Sequence, residues 1–201
     1  LCGRLHNLGN MRRFQGDYVG AQASYAEAVA IAEAIGDRWI EGSARADLAL
    51  AGAFLCDETQ ALRHANQALI LARAIGDRWC ECKVLALLGW LAVMQQHDPQ
   101  GIALIDTAIT LAQAAQEVGV EGAAHARRGF VLLALAQPAA AVPAFERSIA
   151  LLQQLSDAMQ VVTPMAGLAG AYLALGKLSN AQSTVETILR QVGDRPVGVA
   201  D

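Results

Sequence analysis

The side chains best suited to chemistry are four cysteines, Cys2, Cys56, Cys80 and Cys82, and four histidines, His6, His64, His97 and His125. Thiols and imidazoles suggest either a metal site or a nucleophile with its base. Their spacing supports neither. Cys80 and Cys82 stand two apart on a stretch that reads as helix, so they point to different faces and cannot chelate one ion together. No two histidines have the helical spacing of a ligand pair. The cysteines read instead as small buried hydrophobes in a reducing compartment, which points to the cytoplasm. The sequence carries no G-x-G-x-x-G, no phosphate-binding loop and no nucleophile–base constellation. The remaining carboxylates are scattered as on a solvated helical surface. The expectation is a protein that is not an enzyme, holds no cofactor or metal, and works by binding.

Composition narrows the partner. A formal net charge of −4 gives no electrostatic reason for nucleic acid, which demands a basic stripe. The pairs Arg12-Arg13 and Arg127-Arg128 read as solvated or ion-paired. Hydrophobic residues reach 54%, yet no run approaches the roughly 18 to 20 apolar residues that span a bilayer. Alanine, the best helix former, supplies much of that fraction, and aromatics are only 5%, so the chain reads as all-helical. No signal peptide is visible, and the first residue is Leu1 rather than Met, which leaves open a removed or upstream segment.

The elements that must position these residues announce themselves by repetition. Ala34-Ile35-Gly36-Asp37-Arg38-Trp39 returns 40 residues later as Ala74-Ile75-Gly76-Asp77-Arg78-Trp79. Weaker copies follow at Ala115-Gln116-Glu117 and Leu155-Ser156-Asp157, and Val192-Gly193-Asp194-Arg195 arrives slightly early. Self-similarity at such a period means a repeat architecture. Each unit divides into two helical stretches. First helices are predicted over 2–14, 38–55, 78–95, 119–135 and 158–175, second helices over 18–35, 58–75, 98–116, 138–154 and 178–191. Gly36 and Gly76 suit the left-handed residue that ends a helix, and Asp37 and Asp77 suit the cap of the next. Thr163-Pro164 looks like a cap followed by proline, which would start its helix late. Pro143 suggests a kink or a delayed start in another.

Aligned at this period, some columns stay small: Gly9, Ala49, Gly89, Gly129, Ala169; Ala21, Ala61, Gly101, Ala141, Ala181; and Ala28, Ala68, Ala108, Ser148, broken by Ile188. Small residues let helices cross closely while the columns Leu8, Leu48, Leu88 and Leu168, broken by Arg128, and Tyr25, Ala65, Ile105, Phe145 and Val185 fill the seam. The order Leu8-Gly9, Gly16, Tyr18, Ala21, Tyr25, Ala28 resembles the tetratricopeptide repeat, and Leu168-Ala169, Tyr172, Gly176, Leu178, Ala181 repeats it. The likeness covers essentially the whole chain, with a period of 40 rather than 34 residues. It implies one all-α domain over 1–201, an α-α superhelix or solenoid of about five antiparallel helical hairpins. The units run about 1–36, 37–76, 77–116, 117–156 and 157–193, with 194–201 a tail or the start of a truncated sixth unit. The long period and the Ile-Gly-Asp-Arg-Trp corner resemble helical-repeat segments of large bacterial signalling proteins, including ATPase-coupled transcription activators and nucleotide cyclases. Neither end carries a clear polar cap, which fits a chain cut from a longer protein.

In the family that this resembles, first helices line a concave binding face. Carried over, its rows are Asn10, Leu50, Trp90, Phe130, Gly170; Arg13, Ala53, Val93, Leu133, Leu173; and Asn7, Asp47, Leu87, Arg127, Gly167. The expected binding residues are thus Asn10, Arg13, Asp47, Leu50, Lys83, Leu87, Trp90, Val93, Arg127, Phe130 and Leu133. Large apolar residues on such a face mark docking sites, and tryptophan is a favoured anchor. The alternative is that Trp90 and Phe130 close against neighbouring helices. A familiar subset of the family clamps a peptide carboxylate at positions held here by His6, Asn10, Asp47, Lys83 and Leu87; only Asn10 and Lys83 match, and Asp47 would repel the anion. Interhelix packing accounts for Trp39 and Trp79. Two functions remain: a protein-interaction scaffold taking a peptide or partner domain in its groove, or a ligand-sensing regulatory segment of a larger bacterial signalling ATPase, cyclase or transcription activator. Other domains of the parent chain are further candidate partners, and open repeat ends also allow a homodimer.

Overall fold

A computed structural model of the chain describes residues 1–96, 98–155 and 158–193. His97, the Ser156-Asp157 corner and the 194–201 tail lie outside the described residues. Among the described residues the elements are α-helical, with one short 3-10 turn and no strand. They run α1 (Cys2–Phe14), α2 (Tyr18–Ile35), α3 (Arg38–Phe54), α4 (Glu58–Ile75), α5 (Arg78–Gln96), α6 (Gly101–Ala114), α7 (Val118–Ala134), α8 (Pro138–Leu152), the 3-10 turn (Ala158–Val161), α9 (Val162–Ala174) and α10 (Leu178–Gly193).

The chain divides into two compact units, Leu1–Gln116 and Glu117–Asp201. In the first, α1 pairs with α2, α3 with α4 and α5 with α6, and α2 and α4 also pack on the first helix that follows them. In the second, α7 pairs with α8 and α9 with α10, with α8 against α9.

The corners explain why helices stop where they do. Gly36 and Gly76 adopt φ of 75° and 74°, a left-handed conformation that glycine reaches without a Cβ penalty. The following amides then reach back, Asp37 N–H to the Ala32 carbonyl at 2.9 Å and Asp77 N–H to Ala72 at 2.8 Å. Asp37 Oδ1 accepts from the Ile40 amide at 3.1 Å and Asp77 Oδ1 from Cys80 at 3.0 Å, capping α3 and α5. Cys56, Gln116 and Ala136 take the same left-handed place with a side chain present, at φ of 59°, 57° and 56°. Each bears a conformational cost of about 1–2 kcal/mol. Cys56 is therefore an exposed turn residue, whereas Cys2, Cys80 and Cys82 are buried. Burial pushes the Cys80 thiol up to about 12, leaving it an inert core group.

Two helix starts differ from the periodic expectation, and a third, in α8, does not. Helix α6 begins at Gly101, because Asp98 and Pro99 form a turn in which Asp98 Oδ1 accepts from the Gln100 amide at 2.9 Å. Helix α9 begins at Val162, directly after the 3-10 turn, with Thr163 inside it rather than capping it. Pro164 falls in the first turn, where an amide has no intrahelical partner to lose. Pro143 lies inside α8, which starts without delay at Pro138.

The small columns sit where helices cross. A Cβ on Gly9 would stand 2.5 Å from the Tyr25 ring, and one on Gly129 would stand 2.6 Å from Phe145. Ala28, Ala68, Ala108 and Ser148 are all fully buried.

Candidate functional site

In the first unit, the candidate face comes from α1, α3 and α5, which touch in that order. Its middle is sealed. Residues 42–53 of α3 are buried without interruption, Asp47 and Leu50 among them. Lys83 Nζ donates to Asp47 Oδ1 at 2.7 Å, and His6 Nε2 lies 2.8 Å from Asp47 Oδ2. Burial alone would push this carboxyl up. The Lys83 charge and the hydrogen bonds from His6 and Lys83 outweigh it and hold Asp47 well below the usual carboxylate range. Beside it, the Tyr25 hydroxyl donates to Asn10 Oδ1 at 2.8 Å, and burial together with the Asp47 charge pushes the phenol up to about 12. The Lys83 ammonium also sits 4.8 Å from the centre of the Trp79 ring. Lys83 and Asp47 thus satisfy each other and leave no free cation for a peptide carboxylate at this position.

The face opens at its two ends. At the end formed by the last turns of the first helices, Tyr18 stacks on Phe54 with centroids 4.7 Å apart, and Phe54 approaches Trp90 at 6.2 Å. Trp90 is half-buried, its inner edge resting on the cluster that contains Leu50, Leu87 and Leu91. Leu87 and Val93 are buried and present no surface. Phe14, Phe54 and Met94 stand 40 residues apart, each in or at the end of the last turn of its first helix, and all three are exposed. The Arg13 guanidinium lies 4.4 Å over the Phe14 ring. At the opposite end Trp39 is 56% exposed, so it is not the packing residue that its corner position suggests, whereas Trp79 is 37% exposed with its ring beside Lys83. Both occupy the second position of their helices, outside the sealed stretch.

The second unit holds its own, smaller row. Phe130 meets Phe145 edge-on at 5.0 Å and 76°, with Gly129 and Gly167 leaving room for the Phe145 ring. Phe130, Leu133 and Arg127 are half-buried. Below them Arg147 donates to the buried Glu121 at 3.1 Å.

The structure therefore joins Asp47 to Lys83, Asn10 to Tyr25, and Trp90 to the Leu50–Leu87 cluster. Two members of the aromatic ladder, Tyr18 and Phe54, are absent from the sequence-derived set. The signal for Phe54 was available, because Phe14, Phe54 and Met94 form an apolar column at the repeat spacing. Among the described residues, no group of three His, Cys, Asp or Glu is placed to hold a metal, and no helix is long and apolar enough to cross a membrane.

No protein-family model matches the sequence, and no curated protein matches it. Solved structures do share its fold. A Rap protein complexed with Competence and Sporulation Factor superposes with a TM-score of 0.85 at 16% identity, over 94% of this chain and 53% of that one. NprR in complex with its cognate peptide NprX gives 0.78 at 14% identity, over 95% and 55%. A thermophilic tetratricopeptide-repeat protein of Thermus thermophilus gives 0.64 at 18% identity, over 96% and 93%. The chain spans about half the length of the Rap and NprR chains. Its fold is all-α and tetratricopeptide-like.

Proposed function

We propose that this chain is a non-catalytic protein-interaction module, and that an apolar peptide segment or partner helix docks on the last turns of α1, α3 and α5. The observation that carries this reading is the open aromatic ladder Tyr18–Phe54–Trp90, flanked by exposed Phe14 and Met94. Rigid aromatic side chains with one face packed and the other free supply large contact area at little entropic cost. The neighbouring Asp47–Lys83–His6 cluster is internally neutralised, so recognition at this end is by apolar and aromatic side chains. Asn10 and Arg13 supply polar groups at the α1 rim, and in the second unit Phe130 and Leu133 form a separate apolar pair in a row with Arg127. NprR, crystallised with its cognate peptide NprX, and Rap, crystallised with Competence and Sporulation Factor, support the reading by fold. Buried free thiols at Cys2, Cys80 and Cys82 fit a reducing cytoplasm.

The test is selection of amphipathic peptides against the intact chain, followed by calorimetric titration of the best binder. Trp90→Ala is expected to weaken it by more than about tenfold. Unchanged affinity in Trp90→Ala and Phe54→Ala alike would refute docking at the ladder.

A second reading is a ligand-sensing or regulatory segment of a larger bacterial signalling ATPase, cyclase or transcription activator. It is favoured by the long repeat with its Ile-Gly-Asp-Arg-Trp corner. A metabolite that raises the melting temperature of a chain that binds no selected peptide would support this reading over the first.

A further inference from the structure

Beside the aromatic ladder runs a row of carboxylates. The turns that follow the first helices carry Asp17, next to Tyr18; Asp57 and Glu58, just after Phe54; and Asp98, just after Met94. Asp17 and Asp57 stand 40 residues apart, and Asp98 falls one residue beyond the next copy. Each aspartate turns Oδ1 to a backbone amide, of Gly20 at 2.8 Å, Gln60 at 3.1 Å and Gln100 at 2.9 Å. Among the described residues none of the four carboxylates is in an ion pair. The cations at this end are turned elsewhere. Arg12 donates to the Gly20 carbonyl and to Ser24 Oγ, Arg13 lies over Phe14, and Arg63 reaches Gln60 and His64. The turns beside Phe54 and Met94 are left acidic.

The ladder itself has a step length. Tyr18 to Phe54 is 4.7 Å between ring centres, and Phe54 to Trp90 is 6.2 Å. The two steps lie either side of the roughly 5.4 Å pitch of an α-helix, at which residues three or four apart recur on one face. An extended chain repeats its face every two residues, at about 6.6 to 6.8 Å, longer than either step. Its backbone N–H and C=O groups would also need partners that aromatic rings do not supply. A helix pairs its own backbone and lays only side chains on the rings.

Resting on docking at the ladder, we propose that the partner is a basic amphipathic helix. Its apolar side chains, one turn apart, seat on Tyr18, Phe54 and Trp90. Lys or Arg residues on one flank meet Asp57, Glu58 and Asp98, and Asp17 serves the same flank at the Tyr18 end. Each capping aspartate spends Oδ1 on its amide and keeps Oδ2 for the partner. Solvated pairs of this kind are individually weak, and act together on encounter rate and on choice of partner. An acidic helix of equal apolar content meets repulsion at the same rim, so charge separates helices that the ladder alone accepts equally.

Three synthetic helical peptides, titrated calorimetrically against the intact chain, test this. Two share one apolar face and carry lysines or glutamates on the flank; the third is the lysine peptide with a central proline. At low salt the lysine peptide is expected to bind at least about tenfold more tightly than the glutamate peptide, an advantage that shrinks as salt is added. Asp57→Asn with Glu58→Gln keeps a capping side chain on α4 and is expected to cut the advantage to about threefold or less. Trp90→Ala should weaken both peptides alike and leave their ratio unchanged, with Phe54→Ala in its place if circular dichroism shows that variant unfolded. The proline peptide is expected not to bind. Equal affinity for the lysine and glutamate peptides, lost for both in Trp90→Ala, overturns the basic partner and leaves docking at the ladder standing. A proline peptide that binds as well as its parent overturns the helix. Binding indifferent to the ladder variants, or no binding by any of the peptides, overturns docking at the ladder and this inference with it.

Discussion

Lys83 and Asp47 meet at 2.7 Å across α5 and α3, and on the other carboxylate oxygen of Asp47 stands His6 from α1. One buried carboxylate therefore clasps three successive first helices. The clasp fills the middle of the face that the repeat would offer to a ligand, which is why the proposed docking surface lies at one end of it. The same pair sets the first expectation about stability.

Lys83→Met leaves Asp47 buried with one partner of its two, and the expected loss is about 3–5 kcal/mol, the usual consequence of stranding a buried charge. Asp47→Leu combined with Lys83→Met removes both charges and is expected to recover most of that loss, because well-packed apolar groups often replace a buried pair at little cost. Urea denaturation of the two variants decides the point. Equal destabilisation of the single and double variants would show that the ion pair is not what holds the helices here.

Acid should weaken the first unit in two separable stages. His64 Nε2 lies 3.1 Å from Arg63 and Nδ1 lies 3.4 Å from Arg45, which in turn binds Glu41, Gln67 and Glu33. Burial, then the Arg63 and Arg45 charges, lower its pKa from 6.5 to about 4, with Asp57 opposing. The unfolded chain takes up the proton first, so this contribution is complete above pH 6.5 and is lost as the pH falls toward 4. Asp47 contributes stability above its ordinary value of 3.8 and loses it only below that pH. His64→Gln is expected to flatten the dependence of the urea midpoint on pH in the upper window alone. A slope there that survives the substitution would rule out His64 as its source.

Two glycines in neighbouring first helices should respond oppositely to alanine. A Cβ on Gly89 would strike the Gly101 carbonyl oxygen and come within 2.7 Å of Ile105 Cγ1, so Gly89→Ala is expected to cost about 1–3 kcal/mol. At Gly52 the nearest atom is the Ala61 amide nitrogen at 3.5 Å, an ordinary van der Waals distance. Gly52→Ala should therefore stabilise by up to about 1 kcal/mol through helix propensity and a less flexible unfolded chain. Thermal unfolding of the pair gives the two signs directly.

The fold was legible because its rules act within a few residues of the repeating corner. Gly36-Asp37 and Gly76-Asp77 each state a helix stop and the next helix cap in two letters, and the small columns at Gly9, Gly89 and Gly129 state where helices cross. The site was less legible because it depends on offsets between units. Asp47 and Lys83 are 36 residues apart, one turn short of the repeat, so alignment by columns places them in different rows. Burial was the other obscurity. Leu50, Leu87 and Val93 occupy groove positions but are covered by adjacent helices, while Trp39, assigned to packing, faces outward. Neither outcome is written in any single repeat, since both depend on how tightly neighbouring units close.

The aromatic ladder offers a last test, which separates anchoring from folding. Phe54 is 49% exposed, and its ring meets Tyr18 at 4.7 Å and Trp90 at 6.2 Å. Its removal should cost only about 0.5–1.5 kcal/mol of stability, the worth of an aromatic pair. Phe130, wedged edge-on against the fully buried Phe145, should cost more when truncated, within the range of about 3–5 kcal/mol for losing an aromatic from packed surroundings. If docking is at the ladder, the order reverses for a peptide selected against the chain: Phe54→Ala lowers its affinity at least about tenfold, and Phe130→Ala leaves it within about twofold. Measuring melting temperature and peptide affinity on the same two variants keeps the effects apart. Affinity that tracks stability in both variants would mean that the peptide needs only a folded chain and has no anchor at Phe54.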